Sequence, residues 1–326
     1  MDHVAVSDIV PKTMPDWADI AVTQFPCSTS ELDLANTLDC GQAFRWRRDL
    51  AGHWTSVIGF QVFRIWRSNP ESLSFQAWPT DSSSQLVLSN YLRLDVALDS
   101  VQAYLAERDP QISEAFLAFP GMRVIAQDPI ETIFTFLCSP ANNVTRITRS
   151  VDLLCSYYGT DLGTYSRGAH FGFPSSEQLS ASTALEIVSN GALGFRGKNV
   201  HRTAVVLSTQ GDQWTTALVR ASYNDARTDL MKLPGIGPKI ADCIALFGLR
   251  HDEAVPVDTH VWAIARSLFP DRFQANFVTP ATYDLVREAF LERYGKWAGW
   301  AQQYLFHARR VARALPTPSL VRISNR

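Results

Sequence analysis

Lys239 and Asp258 are the two residues whose types and settings suit covalent chemistry. Lys239 lies in LPGIGPKIADC (233–243), in the first turn of a predicted helix, where the helix dipole disfavours a cation. An amine that is kept partly unprotonated, or paired with an anion, can act as a nucleophile. Asp258 lies in VPVDTH (255–260), just before another predicted helix, where a capping carboxylate is held rigidly and stays ionised. The alternatives are an exposed lysine and an aspartate that only caps its helix.

Two glycines before Lys239 favour a tight hairpin with an exposed tip. Gly235 and Gly237 flank a single apolar residue between two helical patterns, and Pro238 suits the first turn of the following helix. Backbone N–H groups at such a tip can hold a phosphate. The same pattern also fits a helix–helix turn that binds nothing. Cys243 falls on the Lys239 face of the helix, where a small buried side chain is the simpler interpretation.

The elements that must position these residues are helices. From about residue 120 onward, apolar residues recur at three- and four-residue spacing, with glycine and proline turn signals between the segments. Predicted helices lie near 129–139, 143–158, 176–189, 198–209, 213–220, 224–232, 238–248, 258–268, 281–294 and 299–314. The pattern therefore predicts a large all-α region that carries both candidate catalytic residues.

The N-terminal part has a different pattern, rich in aromatic and β-branched residues. Residues 53–66 and 72–78 predict strands of an antiparallel sheet, and helical patterns begin near residue 85. We therefore expect an α+β fold, with an N-terminal antiparallel β-sheet domain that also contains helices, followed by a larger all-α domain. The predicted divisions are a flexible tail (1–16), the α+β domain (17–120), the helical domain (121–314) and a C-terminal tail (315–326).

Composition disfavours several classes of protein. The 326-residue chain has a formal net charge of −2, which argues against non-specific coating of nucleic acid but leaves room for local basic patches. Its five cysteines include no CxxC pair, which disfavours zinc ribbons and clustered iron–sulfur ligands and fits a reducing compartment. We see no signal peptide and no apolar stretch long enough for a membrane span. We expect a soluble intracellular protein without a cofactor.

LPGIGPKIADC and VPVDTH together resemble the helix-hairpin-helix Gly/Pro-Asp superfamily of DNA glycosylases, and within it the eukaryotic-type 8-oxoguanine DNA glycosylase/lyases. Further segments match in the same order and spacing, so the resemblance extends over about residues 17–314. These segments are GQAFRW (41–46), NNVTRI (142–147), GFP (172–174), LGFR (193–196) and AGWAQ (298–302). Several motifs in the right order are far more specific than any one of them. The resemblance implies a helix-hairpin-helix glycosylase domain and a bifunctional enzyme of base excision repair.

The resemblance assigns the catalytic roles. Lys239 would attack C1′ of the damaged nucleotide, expel the base, hold the sugar as a Schiff base and nick the strand by β-elimination. Asp258 would stabilise the positive charge that develops on the sugar, as carboxylates do in glycoside hydrolysis. The base must leave the helical stack to be reached, so the enzyme would flip it into a pocket. The expected base-binding residues are Gly41, Cys243, Pro256, Gln302 and Phe306.

Within that pocket the resemblance implies separate tasks. Phe306 would stack on the base, Cys243 would close the other side, and Gln302 would read the Watson–Crick edge. The carbonyl of Gly41 would accept a hydrogen bond from N7–H, a proton that only the oxidised base carries. A misfit would leave a buried acceptor unpaired, which costs about 1–3 kcal/mol. Without the resemblance, Gln302 and Phe306 would be assigned to the packing of a C-terminal helix, and Gly41 to a turn.

The resemblance also implies that the partner is double-stranded DNA that contains 8-oxoguanine. His260 would contact a phosphate near the lesion, and Phe195, Arg196 and Arg146 would supply the wedge and the contacts to the orphaned base. The expected DNA-contacting residues are Asn142, Asn143, Arg146, Phe195, Arg196, Gly235, Gly237 and His260. The alternative for the arginines is an ordinary solvated charge.

One metal site is also implied by the resemblance. The backbone carbonyls of Met231, Leu233 and Ile236 match positions that hold a monovalent cation in the family's hairpin. No other metal is expected.

One position departs from the family pattern. The loop commonly begins with three asparagines, but here Ala141 precedes Asn142 and Asn143. The first asparagine of the family contacts the cytosine left opposite the lesion, and an alanine side chain cannot form that hydrogen bond. We therefore predict a relaxed preference for the opposite base, with Arg146 and Arg196 still available for contact.

Two other kinds of function compete with this interpretation. Endonuclease III-like and adenine-excising relatives usually carry four cysteines after the hairpin, and none follows Cys243; alkylbase glycosylases lack the hairpin lysine. A non-catalytic DNA-binding protein would use the hairpin as a phosphate clamp, but would leave the Lys239–Asp258 pair unexplained. A eukaryotic-type repair enzyme implies the nucleus, and we expect a monomer that also acts on formamidopyrimidines.

Overall fold

A five-stranded antiparallel sheet forms the N-terminal part of the protein. The computed structural model describes residues 13–165, 168–275 and 278–314. The first elements are β1 (Thr23–Pro26), α1 (Leu34–Leu38), β2 (Arg47–Arg48), β3 (Trp54–Ile58), β4 (Gln61–Asn69) and β5 (Ser72–Trp78). The strand order in the sheet is β1-β5-β4-β3-β2. The strands predicted at 53–66 and 72–78 are confirmed, with a tight turn at Gly59 (φ +59°) between β3 and β4.

Helices dominate the rest of the chain. Those that lead up to the hairpin region are α2 (Ser84–Tyr91), α3 (Leu98–Arg108), α4 (Ser113–Ala118), α5 (Pro129–Leu137) and α6 (Val144–Tyr158). A small hairpin follows, formed by β6 (Asp161–Tyr165) and β7 (Gly168–Phe171). The remaining helices are α7 (Ser176–Ser180), α8 (Ala184–Asn190), α9 (Arg196–Arg220), α10 (Tyr223–Leu230), α11 (Pro238–Gly248), α12 (Thr259–Leu268), α13 (Pro280–Tyr294) and α14 (Ala298–Ala314). The α+β fold class is confirmed.

Two local predictions were wrong in detail. The region after residue 120 is not wholly helical, because β6 and β7 pair there and Leu162 packs against the sheet together with Trp17 and Val62. The helix predicted over 176–189 is two helices, because Thr183 caps a new helix through a capping box. The break predicted at Gly211 is confirmed, because the backbone there is not helical (φ +67°, ψ −179°) and divides α9 at a kink.

Three apolar cores follow from this arrangement in the described residues. The smallest lies beside β3, β4 and β6. The second lies between the sheet and helices α1 and α2, and includes Phe63, Leu73 and Leu88. The larger core joins the helices from α3 to α14. Since residues of α3 and α4 such as Leu105 and Phe116 belong to the larger core, the cores do not separate at the predicted boundary near residue 120. Residues 1–12 and 315–326, which include most of both predicted tails, lie outside the described residues.

Polar contacts tie the sheet region to the helices. Arg45 forms an ion pair with Glu131 of α5 (3.0 Å) and also donates to the carbonyl of Phe171 in β7. Arg93 forms a bidentate pair with Asp252 (3.0 Å for both bonds), and Trp300 of α14 donates to the same carboxylate at 2.8 Å. These contacts fix α14 against the loop that leads into α12. In the described ranges, no helix has both the length and the apolar character needed to traverse a bilayer.

Candidate active site

Lys239 occupies the first turn of α11, at the base of the hairpin. Gly237 is the N-cap residue of α11, and Pro238 is its first residue, as the sequence predicts. The ammonium nitrogen of Lys239 lies 5.5 Å from the ring centroid of Phe136, and its side chain is only partly buried. The amine therefore lies at the edge of the apolar core, where an incoming substrate can reach it.

Asp258 caps the next helix beside this lysine. One of its carboxylate oxygens accepts hydrogen bonds from the backbone N–H groups of His260 (2.8 Å) and Val261 (2.9 Å). The predicted capping role is confirmed, and it holds the carboxylate in one orientation. Burial raises the pKa of Cys243 to about 11; nearby Lys239 opposes the shift and nearby Asp258 adds to it. Lys239 and Asp258 are therefore both within electrostatic range of the Cys243 thiol.

Groups from distant parts of the chain meet beside His260, close to Asp258. The His260 ring meets the Phe306 ring edge-on, with 5.6 Å between their centroids. A Cβ atom placed on Gly41 would lie 3.7 Å from Cε1 of Phe306, so the turn that contains Gly41 faces the same ring. Pro256 and Cys243 are buried. The fold therefore brings the predicted base-binding residues Gly41 and Phe306 into contact with the catalytic region.

Two polar atoms beside Phe306 have unmet hydrogen-bonding capacity. Gln302 is buried (3% exposed), and its side-chain carbonyl oxygen has no partner among the described residues. Nδ1 of His260 is likewise buried without a partner within those residues. An unpaired buried polar group costs about 1–3 kcal/mol, so a ligand that supplied a donor to Gln302 would recover that cost. This is the behaviour expected of a polar pocket that is completed by its ligand.

The two hairpin glycines have different surroundings, since Gly235 packs against α9 and Gly237 faces open space. Gly235 has φ +82°, and a Cβ atom there would lie 2.5 Å from the side-chain nitrogen of Asn199 in α9. Apart from its chain neighbours, no described residue has an atom within 4 Å of a Cβ placed on Gly237. Thr203 of α9 also donates to the carbonyl of Pro234 at 2.9 Å. Close contact with α9 thus fixes the back of the hairpin, while its tip remains free for a ligand.

The predicted DNA-contacting loops come together at the ends of α6 and α9. Asn143 caps α6 by accepting from the N–H of Arg146 (3.0 Å), and the Asn142 amide donates to the carbonyl of Cys138 (3.0 Å). Both asparagines thus have structural partners that the sequence did not reveal. Phe195 is 63% exposed, and the guanidinium of Arg196 lies 4.5 Å from its ring centroid. This exposed ring has the setting expected of a wedge.

Arg196 joins these two loops. Its guanidinium donates to the carbonyls of Pro140 (2.6 Å) and Ala141 (2.8 Å). Ala141 is exposed and has φ +48°, a left-handed conformation that asparagine adopts more readily than alanine. Arg146 is exposed on the first turn of α6. The monovalent-cation site at the carbonyls of Met231, Leu233 and Ile236 stays a prediction.

A buried polar network lies behind Lys239, and the sequence patterns did not predict it. Asp242 is fully buried in α11 and accepts hydrogen bonds from Tyr223 (2.7 Å), Arg227 (3.0 Å) and Tyr283 (2.6 Å). Burial raises the pKa of Asp242, and Arg227 and the two tyrosines act against that shift. A carboxylate inside an otherwise apolar helical segment was the only signal for it. The network anchors α11, and with it Lys239, to α10 and α13.

With this geometry in place, comparison with known proteins identifies the family. The protein named N-glycosylase/DNA lyase OGG1 of Arabidopsis thaliana is 36% identical over 301 residues, which cover 90% of this chain and 80% of that protein. The chain belongs to the 8-oxoguanine N-glycosylase/DNA lyase family. The N-glycosylase/DNA lyase of Saccharomyces cerevisiae is 33% identical over 322 residues, covering 85% and 83% of the two chains. The family model for the 8-oxoguanine DNA glycosylase N-terminal domain matches residues 24–133.

Solved structures of this family share the fold over nearly the whole chain. The 8-oxoguanine glycosylase/lyase of Clostridium acetobutylicum, in complex with dsDNA containing cytosine opposite 8-oxoG, superposes with a TM-score of 0.78 and 27% identity. The match covers 87% of this chain and 93% of that one. The family resemblance inferred from the sequence is therefore confirmed.

Proposed function

We propose that this protein excises 8-oxoguanine from duplex DNA and then cleaves the strand at the resulting site. The observation that carries the proposal is the placement of Lys239 and Asp258 at the N-termini of two consecutive helices, with Phe306 in contact with His260 and facing Gly41. Relatives named N-glycosylase/DNA lyase support the same chemistry.

In the proposed reaction Lys239 attacks C1′ of the damaged nucleotide. The N-glycosidic bond breaks, and the base leaves with the bonding electron pair and takes up a proton. Ring opening and loss of the amine proton give a Schiff base between Lys239 and the sugar. Removal of a C2′ proton then expels the 3′ phosphate by β-elimination. Asp258, held by its two backbone donors, stabilises the positive charge on the sugar while the base departs.

The pocket accounts for recognition of the damaged base. The flipped base stacks on Phe306, with Cys243 and Pro256 on the other side, and its Watson–Crick edge donates to the unpaired oxygen of Gln302. The Gly41 carbonyl accepts from N7–H, a proton that guanine lacks. Formamidopyrimidines carry an N–H donor in the corresponding place, so the same pocket accepts them.

The hairpin and the exposed loops account for the hold on the duplex. The backbone N–H groups at the tip formed by Gly235 and Gly237 bind a phosphate on the strand that carries the lesion, and His260 binds a neighbouring one. Phe195 fills the space that the flipped base leaves, with Arg196, Arg146 and the 142–143 loop next to the opposite strand.

Trapping with borohydride tests this function. Wild-type protein and Lys239→Gln are incubated with a duplex that carries one 8-oxoguanine opposite cytosine, and borohydride reduces any Schiff base to a stable adduct. We expect an adduct with the wild type and none with Lys239→Gln, which still binds the lesion. The exposed lysine of the Lys232–Asp229 pair supplies the matched control Lys232→Gln, which should trap normally.

Other outcomes would assign a different function. Release of the base without an adduct would mean a monofunctional glycosylase and would overturn the role of Lys239. Binding without release of the base would favour the non-catalytic phosphate clamp. If neither 8-oxoguanine excision nor an adduct is detected, other damaged bases become the candidates.

We also propose that the protein acts as a monomer in the nucleus. Both follow from the eukaryotic-type resemblance. Light scattering of the purified protein tests the first, since a mass of about twice 36.4 kDa would contradict it. Imaging of a fluorescent fusion in the source cells tests the second, since a signal confined to another compartment would contradict it.

A further inference from the structure

The turn that carries Gly41 is held from both sides by side chains. The carbonyl of Asp39 accepts a hydrogen bond from Arg310, and that of Cys40 accepts one from the amide of Gln303 at 3.4 Å. The carbonyl of Gln42 accepts one from the amide of Gln127 at 2.8 Å. Of four consecutive carbonyls, that of Gly41 alone accepts no hydrogen bond from the described residues.

Of these three side chains, Arg310 lies closest to Gly41 and is the most exposed. Gln303 and Gln127 are buried, at 2% and 7% exposure, whereas Arg310 is only partly buried on the last turns of α14. Its Nη1 lies 3.2 Å from the position that a Cβ atom on Gly41 would occupy, and Gly41 has the left-handed φ of +89°. Arg310 therefore packs directly against the glycine whose carbonyl is left free.

We propose that Arg310 is a positioning residue for recognition of the damaged base. Its guanidinium holds the peptide of Asp39, and so fixes the orientation in which the Gly41 carbonyl meets the base stacked on Phe306. The inference rests on the proposed function, since it assigns selectivity within the same pocket. It differs from the ordinary role of an arginine near a helix C-terminus, which is to interact with the helix dipole.

The contact needs the shape of an arginine. The planar guanidinium donates to the Asp39 carbonyl through Nη2 while Nη1 lies against Gly41. A lysine at this position would keep the charge and one donor but could not fill both places. A methionine would keep the apolar stem and lose both contacts. These two substitutions therefore separate charge, packing and positioning.

The experiment compares Arg310→Met and Arg310→Lys with wild type in two reactions. The first is single-turnover excision of 8-oxoguanine opposite cytosine, and the second is strand cleavage at a preformed abasic site, which requires no base recognition. We expect Arg310→Met to slow excision about tenfold, the effect of one well-aligned hydrogen bond, and to leave abasic-site cleavage unchanged. Arg310→Lys should fall between wild type and Arg310→Met. Arg266→Met, which removes an exposed cation from α12, is the matched control and should match wild type in both reactions.

A modified base tests whether Arg310 acts through Gly41. A duplex with 7-deaza-8-oxoguanine lacks the N7–H donor, so wild type and Arg310→Met should process it at equal rates. Slowing of both reactions by the same factor, or equal excision of 8-oxoguanine by wild type and Arg310→Met, would overturn the inference. A wild type that does not excise 8-oxoguanine would instead overturn the proposed function.

Discussion

The hydroxyl of Tyr283 donates a hydrogen bond to the buried carboxylate of Asp242 at 2.6 Å and accepts one from the backbone N–H of Val257 at 3.2 Å. Asp242 belongs to the helix that starts with Lys239, and Val257 directly precedes Asp258. One hydroxyl group therefore connects the segment of the nucleophile to the segment of its carboxylate partner. The distance between the two catalytic residues depends on a side chain that contacts neither of them.

Removal of that hydroxyl should weaken both the fold and the reaction. Tyr283→Phe leaves the Val257 N–H without its acceptor and takes one donor from Asp242, so we expect a loss of about 1–3 kcal/mol in the free energy of unfolding. Excision of 8-oxoguanine should also slow. Urea unfolding measures the first effect, and Tyr157→Phe, at a side chain that is 58% exposed, is the control. An unchanged unfolding midpoint would contradict the bridging role.

Substitution by alanine should affect stability and DNA binding differently at the two hairpin glycines. Gly235→Ala forces a Cβ atom against the Asn199 side chain at a left-handed φ, so the hairpin must shift. We expect a loss of stability of about 1 kcal/mol or more and weaker binding to a duplex with an abasic-site analogue. Gly237→Ala meets open space at an extended φ of −96° and should be stable. Thermal melting and fluorescence anisotropy distinguish the pair, and equal melting temperatures for the two variants would refute the prediction.

Substitution of Asp258 by asparagine should separate its two roles. Asparagine caps helices about as well as aspartate, so the stability of Asp258→Asn should change by less than about 1 kcal/mol. The loss of negative charge next to the sugar should slow base excision by about a hundredfold or more. Asp128→Asn, at the N-cap of α5, is a matched capping control that should keep its activity. If Asp258→Asn loses as much free energy of unfolding as it loses in activation free energy for excision, the residue acts only as a helix cap.

Selectivity for the opposite base should depend on Ala141. Alanine offers no side-chain donor there, and Arg196 already donates to the carbonyls of the same loop. We therefore expect wild type to excise 8-oxoguanine at similar rates opposite C, A, G and T. Ala141→Asn should steepen the preference for cytosine and also relieve the left-handed strain at this position. A steep cytosine preference in the wild type, measured by single-turnover excision, would contradict this prediction.

The stability of the fold should fall in acid partly through His307. Burial, reinforced by the charge of Arg310, lowers the pKa of His307 to about 4, and its ring packs edge-on against Phe119 at 4.4 Å. The neutral form is favoured in the folded state. The stability that the neutral His307 ring contributes is therefore complete above the ordinary pKa of about 6.5, and it is lost as the pH falls towards 4.

The measurement is a comparison of unfolding free energies at several pH values. We expect wild type to lose about 3 kcal/mol more than His307→Leu between pH 7 and pH 4. Parallel curves for wild type and His307→Leu would show that this histidine does not contribute.

Local sequence patterns predicted those parts of the site whose conformation is determined by residues close together in the sequence. The hairpin glycines, the start of α11 at Pro238 and the capping by Asp258 each leave a signature within a few residues, and the structure confirms all three. The break at Gly211 was likewise predicted, because a glycine between two helical patterns is a local signal. The hairpin of β6 and β7 was missed because its pairing competes with helical patterns on either side.

Contacts between distant segments left no such signature. Arg310 contacts the turn of Gly41, although most of the chain separates the two residues in sequence. The residues around each of them form no local pattern that predicts this contact. The Asp242 network has the same character, since its donors come from α10 and α13. The roles of Gly41 and Phe306 came from resemblance to a family, and the structure adds that the two residues are in fact neighbours.

The contact between Gly41 and Phe306 also determines when, during synthesis of the chain, selectivity for the damaged base can arise. During synthesis on the ribosome, the hairpin and Lys239 emerge before α14, which brings Phe306, Gln302 and Arg310 to the waiting turn. Under the proposed function, a chain in which α14 has not docked carries Lys239 but lacks the groups that recognise the damaged base. Selectivity for the damaged base would then be the last property that the growing chain acquires, and a chain that ends before α14 would lack it.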